Sequence, residues 1–235
     1  YANNIYDYFG NSVTCSADGN IIVVGAYLDE TSGNNTGVVY VFDRVGNDFN
    51  EVGILTGSDT DDDDNFGWSV KTNVDGSTII VGATKYSIPG SSDEIGSVYV
   101  FDREYSVGIG TTFTQVGILT GSHAADGDYF GSDLACSADG NIIVVTARTG
   151  QLPGSADDSG IAYVFNRQGN NFNEVGILTG YYANEEDDYF GSAVACSADG
   201  KHIIVGAYND ETPDTGSHAG VAYVFDQDTK ETPLI

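Results

Sequence analysis

The sequence predicts an all-β fold, a β-propeller of four blades, in which each blade is a four-stranded antiparallel sheet of about 60 residues. Short runs rich in Val, Ile, Tyr and Phe lie between turn residues, and no stretch has the period of a helix. The dipeptide Phe-Gly recurs at spacings of 57, 64 and 60 residues, starting at Phe9, Phe66, Phe130 and Phe190. The predicted blades cover approximately residues 1–57, 58–121, 122–180 and 181–235.

The first strand and the turn after it keep a strict register in every copy. In the first copy "FGNSVTCSA" is the predicted strand, and an Asp-Gly pair begins nine residues after each Phe. Asp-Gly is a strong hairpin signal because both residues tolerate the positive φ of a tight turn. We therefore interpret the aspartates of these pairs as turn formers: Asp18, Asp75, Asp139 and Asp199.

The second and third strands, "NIIVVGA" and "GVVYVFDR" in the first copy, are almost continuously apolar. Such runs are typical of strands that are buried on both faces, as they are between stacked blades. This favours a propeller over a β-solenoid, because a unit of 57 to 64 residues is long for one solenoid coil.

One basic residue recurs at the end of the third strand, as Arg44, Arg103 and Arg167, and Gln227 takes its place in the fourth copy. An arginine that returns at one position of a scaffold predicts a structural ion pair, or an aliphatic stem that covers the blade.

The fourth, outer strand is clear in three copies and unclear in the last. It reads "FNEVGILTG" in the first and third copies, whereas the last copy continues as "FDQDTKETPLI", with Pro233 where pairing should begin. Proline cannot donate a hydrogen bond to a β-ladder. The last blade is therefore predicted to have an incomplete outer strand and an open edge, to which another chain could pair.

The order Phe-Gly, Asp-Gly, "VGA" and "GVVYVF" resembles the FG-GAP repeat, which builds the β-propeller of integrin α subunits and many related surface proteins. The resemblance covers essentially the whole chain in four copies. It implies an extracellular or cell-surface location and a binding or adhesive role. Because the integrin propeller has seven blades, four copies imply either a four-bladed ring or part of a larger propeller.

The resemblance does not extend to the calcium site of that family, a long loop of alternating Asp and Asn between the first and second strands. Here that connection is only "SADGN", "NVDGS", "SADGN" or "SADGK". Calcium takes about six to eight oxygen ligands, and a two-residue turn with one carboxylate cannot supply them. We therefore expect no calcium at these turns.

The chain has a formal net charge of -27, from 35 acidic and 8 basic residues. Nucleic acid and anionic lipid are polyanions, so neither is expected as a partner. The longest apolar runs have about seven residues, and a membrane-spanning helix needs roughly 20, so no membrane insertion is expected.

Most of the negative charge is predicted to lie at one end of the propeller, which we name the acidic face. Antiparallel strands alternate in direction, so the blade-to-blade linkers and the loops between second and third strands emerge at the same end. Variable loops on a rigid scaffold are a usual place for binding. The candidate binding residues in the second-to-third-strand loops are Asp29, Glu30, Asp93, Glu94, Asp157, Asp158, Asp210 and Glu211.

One carboxylate recurs two residues before every Phe-Gly, as Asp7, Asp64, Asp128 and Asp188. Two interpretations stay open: it caps the turn into the inner strand through backbone hydrogen bonds, or it is a calcium ligand shared with neighbouring carboxylates. Carboxylates without nearby His or Cys favour Ca²⁺ over zinc or copper. The neighbouring candidate ligands are Asp61, Asp62, Asp63, Glu185, Glu186 and Asp187.

The sequence shows no catalytic arrangement, since the three histidines occupy unrelated repeat positions and there is no nucleophile elbow or phosphate-binding loop. The leading prediction is a non-catalytic, extracellular binding or adhesion module, with a protein or glycan ligand at the acidic face and Ca²⁺ as candidate cofactor. The alternative is a structural subunit of a surface array or filament that self-associates through the open edge of the last blade. Asn34 begins the sequon "NNT" and is a candidate glycosylation site.

Overall fold

The structure, a computed structural model, describes residues 6–88, 93–156, 158–183, 187–211 and 218–226, and the backbone of the strand at 229–234. Its secondary structure consists of 16 β-strands, and this part of the chain has no helix that could cross a bilayer. The strands form four sheets of four antiparallel strands, so the predicted all-β fold with four propeller blades is confirmed.

Each sheet uses four consecutive strands, and the first strands of neighbouring blades lie against each other on the inside. The first blade contains β1 (Val13–Cys15), β2 (Ile21–Ala26), β3 (Val38–Val45) and β4 (Asp48–Leu55). The second contains β5 (Phe66–Thr72), β6 (Thr78–Ala83), β7 (Ser97–Ser106) and β8 (Gly110–Leu119). The third contains β9 (Phe130–Cys136), β10 (Ile142–Ala147), β11 (Ile161–Gln168) and β12 (Asn171–Leu178). The fourth contains β13 (Phe190–Cys196), β14 (His202–Ala207), β15 (Val221–Asp226) and β16 (Thr229–Leu234).

The outer strand of the last blade was predicted to be incomplete, and it is present but short: β16 pairs with β15. It has six residues, against eight to ten in the other outer strands, and Pro233 pairs with Tyr223 within it. Proline is tolerated here because an outermost strand has one side on which its N–H groups need no ladder partner. The outer strand is therefore short, one of the two outcomes that the sequence left open, and it is not missing.

The inner strand starts at Phe-Gly in three blades, as predicted, but not in the first blade, where β1 begins only at Val13. Phe66 packs edge-to-face on Tyr99 of its own third strand, with ring centroids 5.3 Å apart. Its counterparts in the third and fourth blades do the same, and all three phenylalanines are fully buried. Phe9 makes the equivalent contact with Tyr40 at 5.4 Å but is 43% exposed.

Neighbouring blades interlock through a pair of glycines. The glycine of Phe-Gly has a φ of +92° at Gly67 and +95° at Gly131, a conformation that favours glycine. Its carbonyl faces the glycine of "VGA" in the preceding blade, where a Cβ on Gly25 would lie 2.1 Å from the Gly67 oxygen. A Cβ on Gly82 would likewise lie 2.4 Å from the Gly131 oxygen. The repeated dipeptides therefore serve contact between blades as well as local turns.

Two of the recurring arginines form the predicted structural ion pair, each reaching back to the preceding blade. Arg103 Nη2 lies 2.7 and 2.6 Å from the two carboxylate oxygens of Asp43. Arg167 binds Asp102 through both terminal nitrogens, at 2.7 and 2.5 Å. Both pairs are largely shielded from solvent and join adjacent third strands.

A chain of backbone hydrogen bonds links the Asp-Gly turns of successive blades. The Ala17 N–H donates to the Val74 carbonyl at 2.8 Å, Val74 donates to Ala138 at 3.1 Å, and Ala138 donates to Ala198 at 2.8 Å. Buried apolar clusters accompany each step, joining the first blade to the second, the second to the third and the third to the fourth.

The first and last blades each keep one sheet face that shares no buried cluster with another blade in the described residues. The leading face, on the first blade, lines a shallow depression of about 280 Å³ and consists of Phe9, Ile22, Val24, Phe42 and Phe49. The trailing face, on the fourth blade, consists of Ala195, Ile204, Ala222 and Val224, and Ile204 is 44% exposed.

Candidate functional site: the acidic face

The two sets of acidic loops meet at one end of the molecule, as the alternation of strands predicts. The Asp63 N–H, in the linker after the first blade, donates to the Asn34 carbonyl in the second-to-third-strand loop at 2.9 Å. At the next junction Gly127 donates to Glu94 at 3.1 Å, and the last linker is joined to Asp158 in the same way. Each linker is therefore fastened to the loop of the blade before it.

Some linker carboxylates serve this fastening. Asp62 accepts hydrogen bonds from the backbone N–H of Asn34 at 2.9 Å and from its side-chain amide at 3.0 Å. Asp63 accepts the Asn35 amide at 2.7 Å. Asn34, the candidate glycosylation site, is exposed, but its amide nitrogen is engaged by Asp62. These carboxylates stabilise loop positions and are not oriented together toward one point.

The carboxylate two residues before Phe-Gly is buried in all four blades, at Asp7, Asp64, Asp128 and Asp188. Asp64 Oδ2 accepts the Asp61 N–H at 2.7 Å, and Asp128 Oδ2 accepts the Ala125 N–H at 2.8 Å. In both bonds the backbone donor lies three positions before the aspartate, so each bond closes a tight turn. The turn-capping interpretation therefore holds at these two positions. Burial raises the pKa of Asp64 and of Asp128 to about 6.

The aspartates of the Asp-Gly pairs form turns, as predicted. Asp18 Oδ1 accepts the Ser16 hydroxyl at 2.6 Å and the Asn20 N–H at 3.0 Å. These hydrogen bonds lower the pKa of Asp18, and the same arrangement recurs around Asp139 and Asp199. These carboxylates lie at the opposite end of the strands from the acidic face.

Two of the eight candidate binding acids are buried, so their carboxylates are not accessible to a ligand. Asp29 accepts the hydroxyl of Tyr40 at 2.8 Å, and Asp210 accepts the hydroxyl of Tyr223. Each therefore anchors its loop to the third strand of its own blade. Glu30, Asp93 and Glu211 are exposed, and Glu94 and Asp158 are partly exposed, whereas Asp157 lies outside the described residues.

The carboxylates do not assemble a metal centre within the described residues, where no group of three or more His, Cys, Asp or Glu side chains converges. Of the candidate ligands, Asp61, Asp62 and Asp63 are exposed, and Asp187 accepts the Tyr189 hydroxyl at 2.7 Å. Glu185 and Glu186 lie outside the described residues.

Aromatic side chains form a feature of this face that the charge pattern did not predict. Tyr6, Tyr8, Tyr27 and Trp68 make a continuous row, with successive ring centroids 6.5, 5.3 and 4.9 Å apart. We name these four residues the aromatic row; Tyr6 is 74% and Tyr8 49% exposed. A sequence signal existed, since Tyr precedes Phe-Gly in three copies and follows Gly-Ala in two.

The residue before Phe has a left-handed backbone conformation in every blade, with φ of 52° at Tyr8, 60° at Asn65, 54° at Tyr129 and 54° at Tyr189. Asn adopts this region readily, whereas tyrosine does so at a cost of about 1 kcal/mol or more. Three copies nevertheless carry tyrosine. In the fourth blade Tyr189 stacks on Tyr208 with ring centroids 5.4 Å apart.

The aromatic row ends at a small cavity of about 120 Å³ between the second and third blades. Trp68 and Tyr129 line it together with Lys85 and Arg148, the two basic residues of the acidic loops, and Arg148 lies 5.7 Å from the Tyr129 ring centroid. A site for a whole small molecule occupies about 300 Å³ or more. The cavity can therefore accept one protruding group of a larger ligand.

The comparisons with known proteins agree with this architecture. The FG-GAP repeat model matches residues 3–42, 49–101, 113–165 and 182–225. The chain belongs to the FG-GAP repeat family. No curated protein matches the sequence closely enough to count as a relative. Among solved structures, Sqt1 of Chaetomium thermophilum has a similar fold, with a TM-score of 0.57 and 16% identity, over 92% of this chain and 43% of that chain.

The FG-GAP segments are offset from the sheets. The second segment, 49–101, starts in the outer strand of the first blade and ends in the third strand of the second blade. It therefore contains a complete linker and a complete second-to-third-strand loop, which are the two contributions of one repeat to the acidic face. FG-GAP repeats are typical of extracellular and surface proteins, and the fold is compatible with a binding or adhesion module.

Proposed function

We propose that this chain is a non-catalytic binding or adhesion module, working outside the cell or on its surface, with the acidic face as its ligand-binding surface. FG-GAP membership supports the class of protein, and the fastened loops supply a rigid platform. The ligand is a protein or a glycan that carries positive groups, because the face is strongly negative.

The aromatic row is the observation that carries this proposal. Exposed aromatic rings on a rigid surface offer large apolar contact areas with little entropy to lose on binding. Here they lie beside carboxylates that attract cationic groups, and Tyr8 contacts both Tyr6 and Tyr27 within the row. A flat ligand unit, such as a sugar ring or an aromatic side chain, would stack on the row, with its charged groups near the surrounding acids.

Calcium belongs to the proposal as an ion held by exposed linker carboxylates such as Asp61, Asp62 and Asp63. Its role there is to reduce repulsion among the loops and to bridge them to an oxygen-bearing ligand. The calcium ion does not use the side-chain oxygens of Asp64 and Asp128 that accept backbone N–H groups, since those hydrogen bonds are kept.

Binding can be tested with two probes, chitosan oligosaccharide for cationic glycans and oligolysine for cationic peptides, by calorimetry at physiological ionic strength. We expect at least one probe to bind, and Trp68→Ala to weaken it about tenfold, which corresponds to about 1.4 kcal/mol. Tyr105→Ala is the control, because Tyr105 is also aromatic and is more exposed than Trp68, but lies in the β7–β8 hairpin at the opposite end. Absence of binding to both probes, or equal losses in the two variants, would overturn the proposal.

A further inference from the structure

The small cavity between the second and third blades lies where the junction before it has aromatic rings. Three repeat positions form this part of the acidic face: the residue before Phe-Gly, the residue after the second strand, and the residue after Phe-Gly in the following blade. At the junction of the first and second blades these positions are Tyr8, Tyr27 and Trp68. At the junction of the second and third blades they are Asn65, Thr84 and Ser132. The cavity is therefore the repeat site of the aromatic row with small polar side chains in place of the rings.

The third and fourth blades fill the same place with large side chains. Arg148 lies over the Tyr129 ring in the third blade, and Tyr189 stacks on Tyr208 in the fourth with an interplanar angle of 13°. The backbone does not differ in the second blade, since Asn65 has the φ of about +60° that its counterparts have. The opening therefore results from the side chains that the second blade carries.

The space has about the size of one six-membered ring. Its volume is about 120 Å³, and an engineered apolar cavity of about 150 Å³ binds benzene. Arg148, which belongs to the lining, is exposed, so the cavity opens to solvent. One ring of a longer ligand can therefore enter while the rest of the ligand stays outside.

The lining combines ring surfaces with hydrogen-bonding groups. Trp68 and Tyr129 offer aromatic surface on which C–H groups pack. The Ser132 hydroxyl donates to the Tyr129 carbonyl at 2.6 Å, so its lone pairs can accept a hydrogen bond from a ligand. Thr84 and Asn65 add a second hydroxyl and an amide. A sugar ring, with C–H groups and hydroxyls, satisfies both kinds of surface, whereas an apolar ring would leave the polar groups unpaired.

The cavity is also a positive site within an acidic face, because Lys85 and Arg148 both line it. Lys85 Nζ lies 3.7 Å from Glu94 Oε2, and the two side chains are 40% and 41% exposed. Such a long contact in water is weak and leaves ammonium donors available to a ligand. A carboxylate that enters the cavity gains charge-assisted hydrogen bonds from the two cations. An acidic peptide side chain would pair with these cations but would leave the Trp68 and Tyr129 rings uncovered.

We propose that the cavity binds a sugar ring that carries a carboxylate, a uronic acid unit of a glycan, with the ring against Trp68 and the carboxylate paired with Lys85 and Arg148. The inference rests on the proposed function, because it takes the acidic face as the binding surface, and it names the unit that enters the cavity. The neighbouring units lie along the aromatic row, where the surrounding carboxylates favour positive groups. The glycan therefore carries charges of both signs.

Trp68 is the only tryptophan of the chain, so its fluorescence reports on the cavity directly. The test is a titration of the 235-residue chain with methyl β-D-glucuronoside at physiological ionic strength, with methyl β-D-glucoside as the neutral counterpart. We expect a saturable change with the glucuronoside and at least about tenfold weaker binding of the glucoside. N-acetylglutamate N-methylamide presents a carboxylate as a peptide does. Binding of this compound as tight as that of the glucuronoside would overturn the proposal in favour of a protein ligand.

Four variants locate the binding. Lys85→Gln and Arg148→Gln should each weaken glucuronoside binding about tenfold. Lys201→Gln is the control, since Lys201 is an exposed cation at an Asp-Gly turn, at the opposite end of the strands. Thr84→Tyr places in the cavity the ring that the first and fourth blades have at this position, and it should abolish glucuronoside binding while the thermal melt is retained.

The outcomes separate this inference from the proposed function. If oligolysine or chitosan oligosaccharide binds and the glucuronoside does not, the inference is overturned and the proposed function stands. If the glucuronoside binds and neither cationic probe does, the cavity is a carboxylate site and the proposed function is overturned. Equal losses in Lys201→Gln and the two cavity variants would show a general effect of charge and would overturn the inference.

Discussion

The carboxylate of Asp64 is buried and accepts a hydrogen bond from the backbone. Its Oδ2 accepts the Asp61 N–H, yet burial outweighs this hydrogen bond and raises its pKa to about 6. A raised pKa means that the folded chain holds the proton more tightly than the unfolded chain does. The contribution of Asp64 to stability is therefore greatest at low pH and is lost as the pH rises through about 6.

We predict that Asp64→Asn flattens the pH dependence of the free energy of unfolding between about pH 4 and 7. The difference from wild type should reach up to about 3 kcal/mol, since one pKa unit corresponds to about 1.36 kcal/mol. Urea denaturation at a series of pH values measures it. Asp61→Asn, which removes the same charge at an exposed neighbouring site, is the control. Equal pH profiles for Asp64→Asn and wild type would contradict the prediction.

At the same scale, the sequence could not separate buried from exposed acids within one loop. Asp29 is adjacent to Glu30, and only the first is buried, because the Tyr40 hydroxyl reaches it from a strand eleven residues further along the chain. Such a contact depends on how a loop folds back on its blade. The repeat register alone did predict that the Asp-Gly aspartates make turns, because all their partners are local.

The glycines of Phe-Gly and "VGA" are the elements that set the distance between blades. A Cβ on Gly25 would lie 2.1 Å from a backbone oxygen of the second blade, which cannot move without shifting its strand. In the third blade Thr146 occupies this position, so the close approach can be rebuilt when the opposing backbone is adjusted.

We predict that Gly25→Ala destabilises the chain by about 1–3 kcal/mol, because a methyl group is forced into a packed interface. Gly176→Ala is the matched control, since its Cβ would meet no atom within 4 Å. Chemical denaturation of both variants measures the difference. If Gly25→Ala unfolds at the same denaturant concentration as Gly176→Ala, the glycine contact does not hold the blades together.

Strand-level prediction succeeded where the pattern was local and failed at the end blades. The apolar runs and Asp-Gly turns located the second and third strands of every blade, because a strand that is buried on both faces has an almost continuously apolar sequence. The sequence left the last outer strand either short or missing, and β16 is present because the proline rule holds for inner strands, whereas an outermost strand tolerates proline. β1 is short although its sequence matches the other inner strands, and Phe9 is exposed where its counterparts are buried.

For the whole molecule, the formal net charge is -27, and many of the carboxylates lie in the linkers and second-to-third-strand loops that meet at the acidic face, so folding holds like charges close together. The strand count and the alternation of strand direction were enough to predict this face. They did not predict the aromatic row, because its members come from one linker, one loop and one strand of the next blade, which are brought together only in the folded chain.

We predict that millimolar Ca²⁺ raises the melting temperature by about 2–4 °C relative to EDTA, which corresponds to about 1 kcal/mol for a chain of this size. The reason is that a divalent cation offsets repulsion between the linker carboxylates. Differential scanning calorimetry measures the shift, with NaCl at equal ionic strength as control. An equal rise in NaCl would show screening alone and would contradict calcium binding.

The paired glycines have a further consequence for how such a chain can change in evolution. The second repeat carries both the carbonyl that lies against Gly25 of its predecessor and the glycine, Gly82, that its successor approaches, so a duplicate of it is compatible with both neighbours from the start. Internal duplication or deletion in a gene of this kind can alter blade number without inventing a new interface. Divergence is then left to the loops, where Asn34, Glu94 and Asp158 already differ between copies.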